Sequence, residues 1–471
     1  MSEPIYNAST PKGGDPTQID VNLQYSGVEY NYVYIISCAF IVWLIMPGIG
    51  LLYSGLARRK SALALLFQCF LVIAVITVQW MFWGYSLAYS RDGGPYIGTL
   101  KNFGLMDVMV APSSGSAVLP EVVFCYFQLL FCACTVIIVI GGAFERGNIL
   151  PSLLFSFCWA TIVYCPLARW TWSSKGWLYN LPSLDYAGGG PVHIASGCTA
   201  LAYAFVLGKR KHGAEEVPRR KPHNVTLVFL GTAFIWCGWV GFNGGSTLNA
   251  SVRSMVSIFN TNAAASTGIL GWVLVDLIRY RGRFSLVGAC EGAIAGLVGI
   301  TPAAGFVSLW LAACIGFITS IICALLQDLN KWIRIDEGMD VFKLHGVGGM
   351  VGAFLTGILA SESVSALDGA TYRGGAIDGV GVQVGRQLAE VCAISGYAFV
   401  VSVVLLYLIN WIPGTRLRVG EEVEGVGLDR GLLVEEEIGD WGLFGMGVVE
   451  GVRSSGSSSP AQMQEMVVDA K

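Results

Sequence analysis

The stretch Asp185-Tyr186-Ala187-Gly188-Gly189-Gly190-Pro191-Val192-His193-Ile194-Ala195-Ser196-Gly197 decides how the chain is read. It opens an apolar, glycine-rich run that continues to the basic Lys209-Arg210-Lys211. His193 precedes Lys209 by 16 residues, about 24 Å of helix. In a hydrocarbon core about 30 Å thick, His193 then lies at least ~6 Å inside. A second stretch has the same form: Asp340-Val341-Phe342-Lys343-Leu344-His345-Gly346-Val347-Gly348-Gly349-Met350-Val351-Gly352. His345 stands 17 residues before Glu362, so it too is drawn into the membrane. The bland alternative is a histidine satisfied by a nearby carbonyl. Intramembrane ionisable groups are costly, however, and usually mark a pathway. His212 and His223, in the basic 209–223 segment, read as solvated.

Composition agrees with a membrane location. Of 471 residues, 54% are hydrophobic and only 13% charged, about half the usual charged share. Mean hydropathy is +0.61. These values exclude a disordered chain, a nucleic-acid binder and an ordinary soluble enzyme. A net charge of -3 gives no global attraction to polyanions. The 13 cysteines sit mostly in apolar runs without a CxxC pair, so they read as small buried hydrophobes. At about 20 apolar residues per span, the sequence predicts eleven transmembrane helices: 31–57, 62–89, 119–143, 149–169, 191–207, 224–245, 257–279, 285–302, 305–327, 344–360 and 384–412.

Lys and Arg set the orientation. With the N-terminus outside, the inner loops and tail root hold eighteen of them and the outer side eight. An odd number of spans leaves the C-terminus in the cytosol. Residues 1–30 are then an extracellular segment without the apolar core of a signal peptide, 31–412 the transmembrane domain and 413–471 a cytosolic tail. Asn7-Ala8-Ser9 is an extracellular glycosylation sequon. The tail is acidic, then serine-rich from Arg453 to Ser459, and reads as regulatory or disordered. The two histidine elements enter from opposite faces, five spans apart. That is the pattern two inverted five-helix repeats would produce.

Aromatics lie on the outer side of the histidines. Trp170-Thr171-Trp172 follows the fourth span, Trp239 to Ser246 ends the sixth, and Phe131 lies in the third. A cation over an aromatic face gains about 0.5–2 kcal/mol, although boundary tryptophans are by default belt residues. Glu291 and Asp276 lie near inner helix ends, where a paired or water-reaching acid is as natural as a transport role. Arg386 and Glu390, at i and i+4, are expected to pair. The sequence has no phosphate loop, HExxH or nucleophile elbow, so catalytic residues, metal and cofactor are not expected.

At these residues the chain resembles the ammonium transporter/methylammonium permease/Rhesus (Amt/Mep/Rh) family. The Asp185–His193 block looks like its signature, and other blocks agree: Leu51 to Lys60, Gly141 to Arg146, Trp239 to Ser246, Thr301 to Gly305 and Asp340 to Gly349. They span about residues 30–415. The run 164–172 is similar to fungal members, and histidine at 193 suggests the high-affinity permease type also proposed as a nutrient sensor.

The resemblance implies an all-α polytopic membrane protein with eleven transmembrane helices: two inverted five-helix repeats plus an outer eleventh. It further implies a homotrimer in the plasma membrane, with one pore per subunit. Trp172 and Ser246 would form an external ammonium site floored by Phe131. Phe131 and Phe242 would be a stacked gate, His193 and His345 twin pore histidines, and Asp185 the support beneath the recruitment site. The expected partners are ammonium or methylammonium, the lipid bilayer and cytosolic regulators of the tail. Nucleic acid is not among them. One departure concerns the tail, where Gly427-Leu428-Asp429 is present but Arg430 to Trp441 does not continue the family pattern. Competing readings are a haem enzyme using both histidines, a receptor without net flux, and a gas channel of the Rhesus type. A Soret band would mark the first, and ammonium-evoked current separates the others.

Overall fold

The computed structural model describes residues 25, 27–211 and 222–434. Asn7, His212 and the Ser-rich run after Arg453 therefore lie outside the described residues. Among the described residues there is no strand beyond two isolated bridges. Nine helical segments among the described residues are long and apolar enough to cross a membrane. They are α1 (Tyr30–Leu56), α2 (Arg59–Tyr89), α3 (Glu121–Ala143), α4 (Ile149–Asn180), α5 (Gly189–Leu207), α6 (Val225–Thr247), α7 (Val252–Arg279), α10 (Phe342–Leu359) and α11 (Val382–Trp411). Two shorter apolar helices, α8 (Leu286–Ile300) and α9 (Leu309–Leu325), complete the bundle. Both are shorter than the ranges 285–302 and 305–327 expected from hydropathy.

Three local deviations position the functional region. The fourth helix does not stop at residue 169: Trp170 and Trp172 belong to it. Pro166 cannot donate to the carbonyl of Ile162. A turn of i→i+5 winding over Ala160–Tyr164 absorbs the proline, and Tyr397 of α11 donates its hydroxyl to the Ile162 carbonyl at 2.8 Å. The same winding recurs at Gly189–Ile194 and Phe342–Val347. These turns contain His193 and His345.

Glycine lets the two histidine helices touch backbone to backbone. A Cβ at Gly197 would stand 2.2 Å from the Gly346 nitrogen, and one at Gly349 would stand 2.9 Å from the Gly189 carbonyl oxygen. The contact is reciprocal. The start of each helix is packed against a glycine of the other, as small residues permit in membranes. All 13 cysteines are free. Most are buried, but Cys237 and Cys392 are exposed on outward helix faces, which the apolar pattern does not distinguish.

At the end of the bundle where α1 meets α2, charge replaces apolar packing. Glu145 pairs with Arg58 (2.9 Å) and Arg210 (3.1 Å), and Arg210 donates its Nε to Asp336 at 2.8 Å. Burial acts to raise the Asp336 carboxyl, but the Arg210 guanidinium outweighs it and holds the group at about 2. A depressed acid stabilises the fold above its unfolded value, about 3.9, and that contribution is lost as pH falls through the folded value. Arg210→Ala is therefore expected to cost about 3–5 kcal/mol, the cost of breaking a buried pair. The deficit in thermal-unfolding midpoint should be constant from neutral pH to about 4 and shrink only below that, as Asp336 titrates. A deficit that fades between pH 7 and 5 would assign the effect to other groups.

The tail root folds onto this face. Asp429 accepts from the amides of Leu63 and Ala64 (3.1 and 2.7 Å), capping the start of α2. Arg418 binds Glu424 at 2.7 Å and the Leu207 carbonyl at 2.8 Å. Residues 413–434 are thus held in place rather than disordered, despite the departure in sequence after Asp429. The cause is charge placement: one carboxylate meets two free amides at a helix start.

Candidate functional site: an aromatic-lined histidine pair

Asp185 organises the start of α5. Its Oδ1 accepts from Gly188 N (2.7 Å) and Gly189 N (2.8 Å), and its Oδ2 from Gly190 N (2.7 Å). Gly188 has φ +114°, which an L side chain rarely adopts. The carboxylate thus satisfies three amides that the broken helix start leaves open. The Asp185 carbonyl accepts from Trp172 Nε1 at 3.2 Å, tying the end of α4 to the same loop. The 301–305 block packs beneath: Tyr186 N donates to Pro302 O at 3.1 Å, and a Cβ at Gly305 would meet the Tyr186 ring at 2.2 Å.

α11 holds this loop from the other side. Gln387 accepts from Leu184 N (2.7 Å) and donates to Leu184 O (2.8 Å), while Gln383 donates to Pro182 O (3.0 Å). The expected Arg386–Glu390 pair is not formed. Arg386 donates to Gln383 Oε1 at 3.0 Å, whereas Glu390 is fully buried and accepts from Gln387 at 3.3 Å. Residues 383, 387 and 390 share the inward stripe of α11, and spacing alone does not say which face turns inward. Glu390 faces the Gly190 backbone beside Asp185.

From Trp172 inward, the aromatics form a column. Trp172, half-buried, meets the Phe131 ring edge-on with centroids 6.0 Å apart. Phe131 and Phe242 stack at 3.8 Å with an interplanar angle of 13°. Ser246, also half-buried, lies one turn beyond Phe242 and donates to its carbonyl at 2.8 Å. Next comes Trp239, stacked on His193 at 5.0 Å and 18°, with its Nε1 donating to Thr301 Oγ1 at 2.8 Å. Trp239 was not singled out as a site residue in the sequence. Its spacing, one turn before Phe242, is the signal that finds it.

His193 and His345 meet directly, Nδ1 to Nδ1 at 3.2 Å. A hydrogen bond between two ring nitrogens needs one proton, so one ring donates and the other accepts. The His193 Nε2 is buried and has no hydrogen-bond partner among the described residues, leaving a directional polar atom in an otherwise apolar wall. Both histidines are at most 9% exposed.

The acids before the histidines are not equivalent. Asp340 accepts from Lys343 Nζ at 2.8 Å. Glu337 does the capping instead, accepting from Met339 N (2.9 Å) and Phe342 N (3.2 Å). Burial and the like charge of Asp340 push its carboxyl up to about 7. Among the described residues no cluster of metal-ligating side chains occurs.

Residues 33–437 match the Ammonium Transporter Family. The chain is 46% identical to ammonium transporter 1 of Schizosaccharomyces pombe, over 91% of this chain and 86% of that one. It is also 46% identical to the ammonium transporter MEP2 of Saccharomyces cerevisiae, over 88% and 84%. The crystal structure of Candida albicans Mep2 superposes with a TM-score of 0.83 at 46% identity, covering 87% of this chain and 90% of that one. The chain belongs to the ammonium transporter family, as a multi-pass membrane transporter and not an enzyme.

Proposed function

We propose that the chain takes ammonium from outside the cell at Trp172 and Ser246, passes it the Phe131–Phe242 stack, and conducts it along His193 and His345 into the cytosol. One observation carries this reading: the histidine pair, in contact at 3.2 Å, lies directly beneath the stacked phenylalanines and the Trp239 wall. The column selects by chemistry. An indole face attracts a compact cation, and the Ser246 and histidine acceptors favour a ligand with N–H donors over potassium, which has none. The apolar wall refuses a hydrated ion. Ammonium-evoked current or flux in proteoliposomes of the purified protein tests the reading, and absence of both would leave a receptor.

We further read the bundle as eleven spans in two inverted five-helix repeats with α11 outside them, N-terminus outside, assembled as a plasma-membrane homotrimer. The reciprocal glycine contact of α5 and α10 supports the repeat. A haem is disfavoured by the direct ring contact, because an iron would have to stand between the nitrogens. A sensing role for the tail is compatible with its docking through Asp429.

Two outcomes follow for the outer site. Trp172→Leu raises the half-saturating ammonium concentration about tenfold, since about 1–2 kcal/mol of cation–π attraction is removed. An unchanged value returns Trp172 to the aromatic belt. Asp185→Ala leaves three amides without their acceptor, so assembly or transport is impaired. Asp185→Asn keeps one acceptor oxygen and is milder. Equal yield and flux in the three proteins would remove Asp185 from both roles.

A further inference from the structure

Two cavities on the cytosolic half of the molecule meet at one acid. Beneath His345 lies a space of about 20 Å³, walled by Tyr53, Leu344, His345 and Glu291 among others, which is room for a single water. Below it opens a vestibule of about 650 Å³ reaching the loops with Lys209 and Asp336. Four residues line both cavities: Leu56, Val287, Met339 and Glu291. Three are apolar, so the carboxylate of Glu291 is the polar side chain of that junction. Behind it stands a fixed cation. Lys343 Nζ lies 3.8 Å from Glu291 Oε2 and 2.8 Å from Asp340 Oδ2, and 5.3 Å from the centre of the Trp272 ring. The Lys343 side chain is 1% exposed and that of Glu291 16%, so the lysine is sealed in the protein while the acid reaches the cavity.

We propose that Glu291 is the cytosolic-side cation site of the transport path, taking the ammonium nitrogen as it leaves the histidines, and that Lys343 sets how weakly it is held. The proposal rests on the reading that the path runs through His193 and His345. Its logic is electrostatic. A carboxylate in a narrow apolar junction attracts a cation strongly, and conduction requires that the last site also release it. A buried ammonium group 3.8 Å behind the carboxylate offsets part of that attraction without blocking the passage. His345 and Glu291 line the same small cavity, so the acid also gives a proton arriving by the histidines somewhere to go.

The test separates the two faces of the membrane. Half-saturation for ammonium is measured from the outer and from the cytosolic side, in proteoliposomes holding the full chain in one orientation. Glu291→Gln is expected to raise the cytosolic-side value about fivefold, and Lys343→Gln to lower it about threefold, the scale of one partly exposed ion contact. The outer-side value stays constant in both. Trp172→Leu does the converse. An unchanged cytosolic-side value in Glu291→Gln overturns the proposal. So does an equal rise on both sides, the mark of a merely structural ion pair, or a shift of Lys343→Gln in the same direction as Glu291→Gln. Where Glu291→Gln fails to insert, Glu291→Asp is read by the same two constants: a change confined to the cytosolic side supports the site, and none overturns it. Wild-type protein that moves no ammonium from either side would instead remove the transport reading itself.

Discussion

His193→Ala combined with His345→Ala is expected to lower ammonium current by two orders of magnitude or to let potassium through. On the proposed path the two rings set polar nitrogens in an apolar wall, in contact at 3.2 Å, with the proton between them shared by one donor and one acceptor. Such a pair can hand a proton onward while the neutral ammonia nitrogen follows. A metal cation cannot be divided that way. Positioned proton acceptors act on a scale of about 10²-fold and upward, so losing both should stop the relay. If water fills the vacated volume, the passage becomes a hydrated channel and potassium leaks. His193→Glu restores an ionisable acceptor and keeps transport. The measurement is a pair of currents, ammonium against potassium, on wild type and double variant. Unchanged ammonium current with unchanged preference would reduce the histidines to packing residues and leave selectivity with the outer aromatics.

Gly197→Ala should be nearly as damaging, although it touches no polar atom of the passage. A Cβ there would lie 2.2 Å from the Gly346 nitrogen and 2.5 Å from its Cα. Backbone cannot swing aside as a side chain can, so α5 and α10 must part. Overpacking of this kind costs about 1–3 kcal/mol and occasionally more. Separation would also lengthen the ring contact, because His345 directly precedes Gly346. The expected result is a lower unfolding midpoint and loss of most ammonium flux. Gly385→Ala on α11, where a Cβ meets nothing within 4 Å, serves as the neutral comparison. Equal flux and equal midpoint in the two variants would mean the crossing has slack and does not set the histidine geometry.

Much of this site is legible in the amino-acid order, for local reasons. His193 and His345 stand out because ionisable side chains in apolar runs are expensive. Phe131, Trp172, Phe242 and Ser246 were recoverable from the family resemblance, and the structure sets the three aromatics and Ser246 in one column. The extent of the fourth helix was not legible, because hydropathy ends the span at residue 169 and the carbonyl that Pro166 leaves open needs a donor from outside the helix. The bond that rescues it comes from Tyr397, 235 residues away. Arg386 and Glu390 show the same limit: i,i+4 spacing permits a pair, but only the packing of α11 on the 182–185 loop turns Glu390 inward and leaves Arg386 to Gln383.

The sequence by itself determined that the chain is a membrane bundle, roughly where its spans lie, and that two histidines and an outer set of aromatics are its functional candidates. Each of these follows from hydropathy, burial cost or motif within one segment. Only the tertiary structure decided what those residues do to one another. Gly197 against Gly346 closes a separation of 152 residues into a 3.2 Å ring contact. Trp239 becomes the wall of His193, Glu337 rather than Asp340 caps the second histidine helix, and Asp429 binds the tail root to α2. The physical reason is common to all of them. Hydrogen bonds and ring contacts fall off within a few ångströms, and which groups come that close is set by how helices far apart in the chain cross.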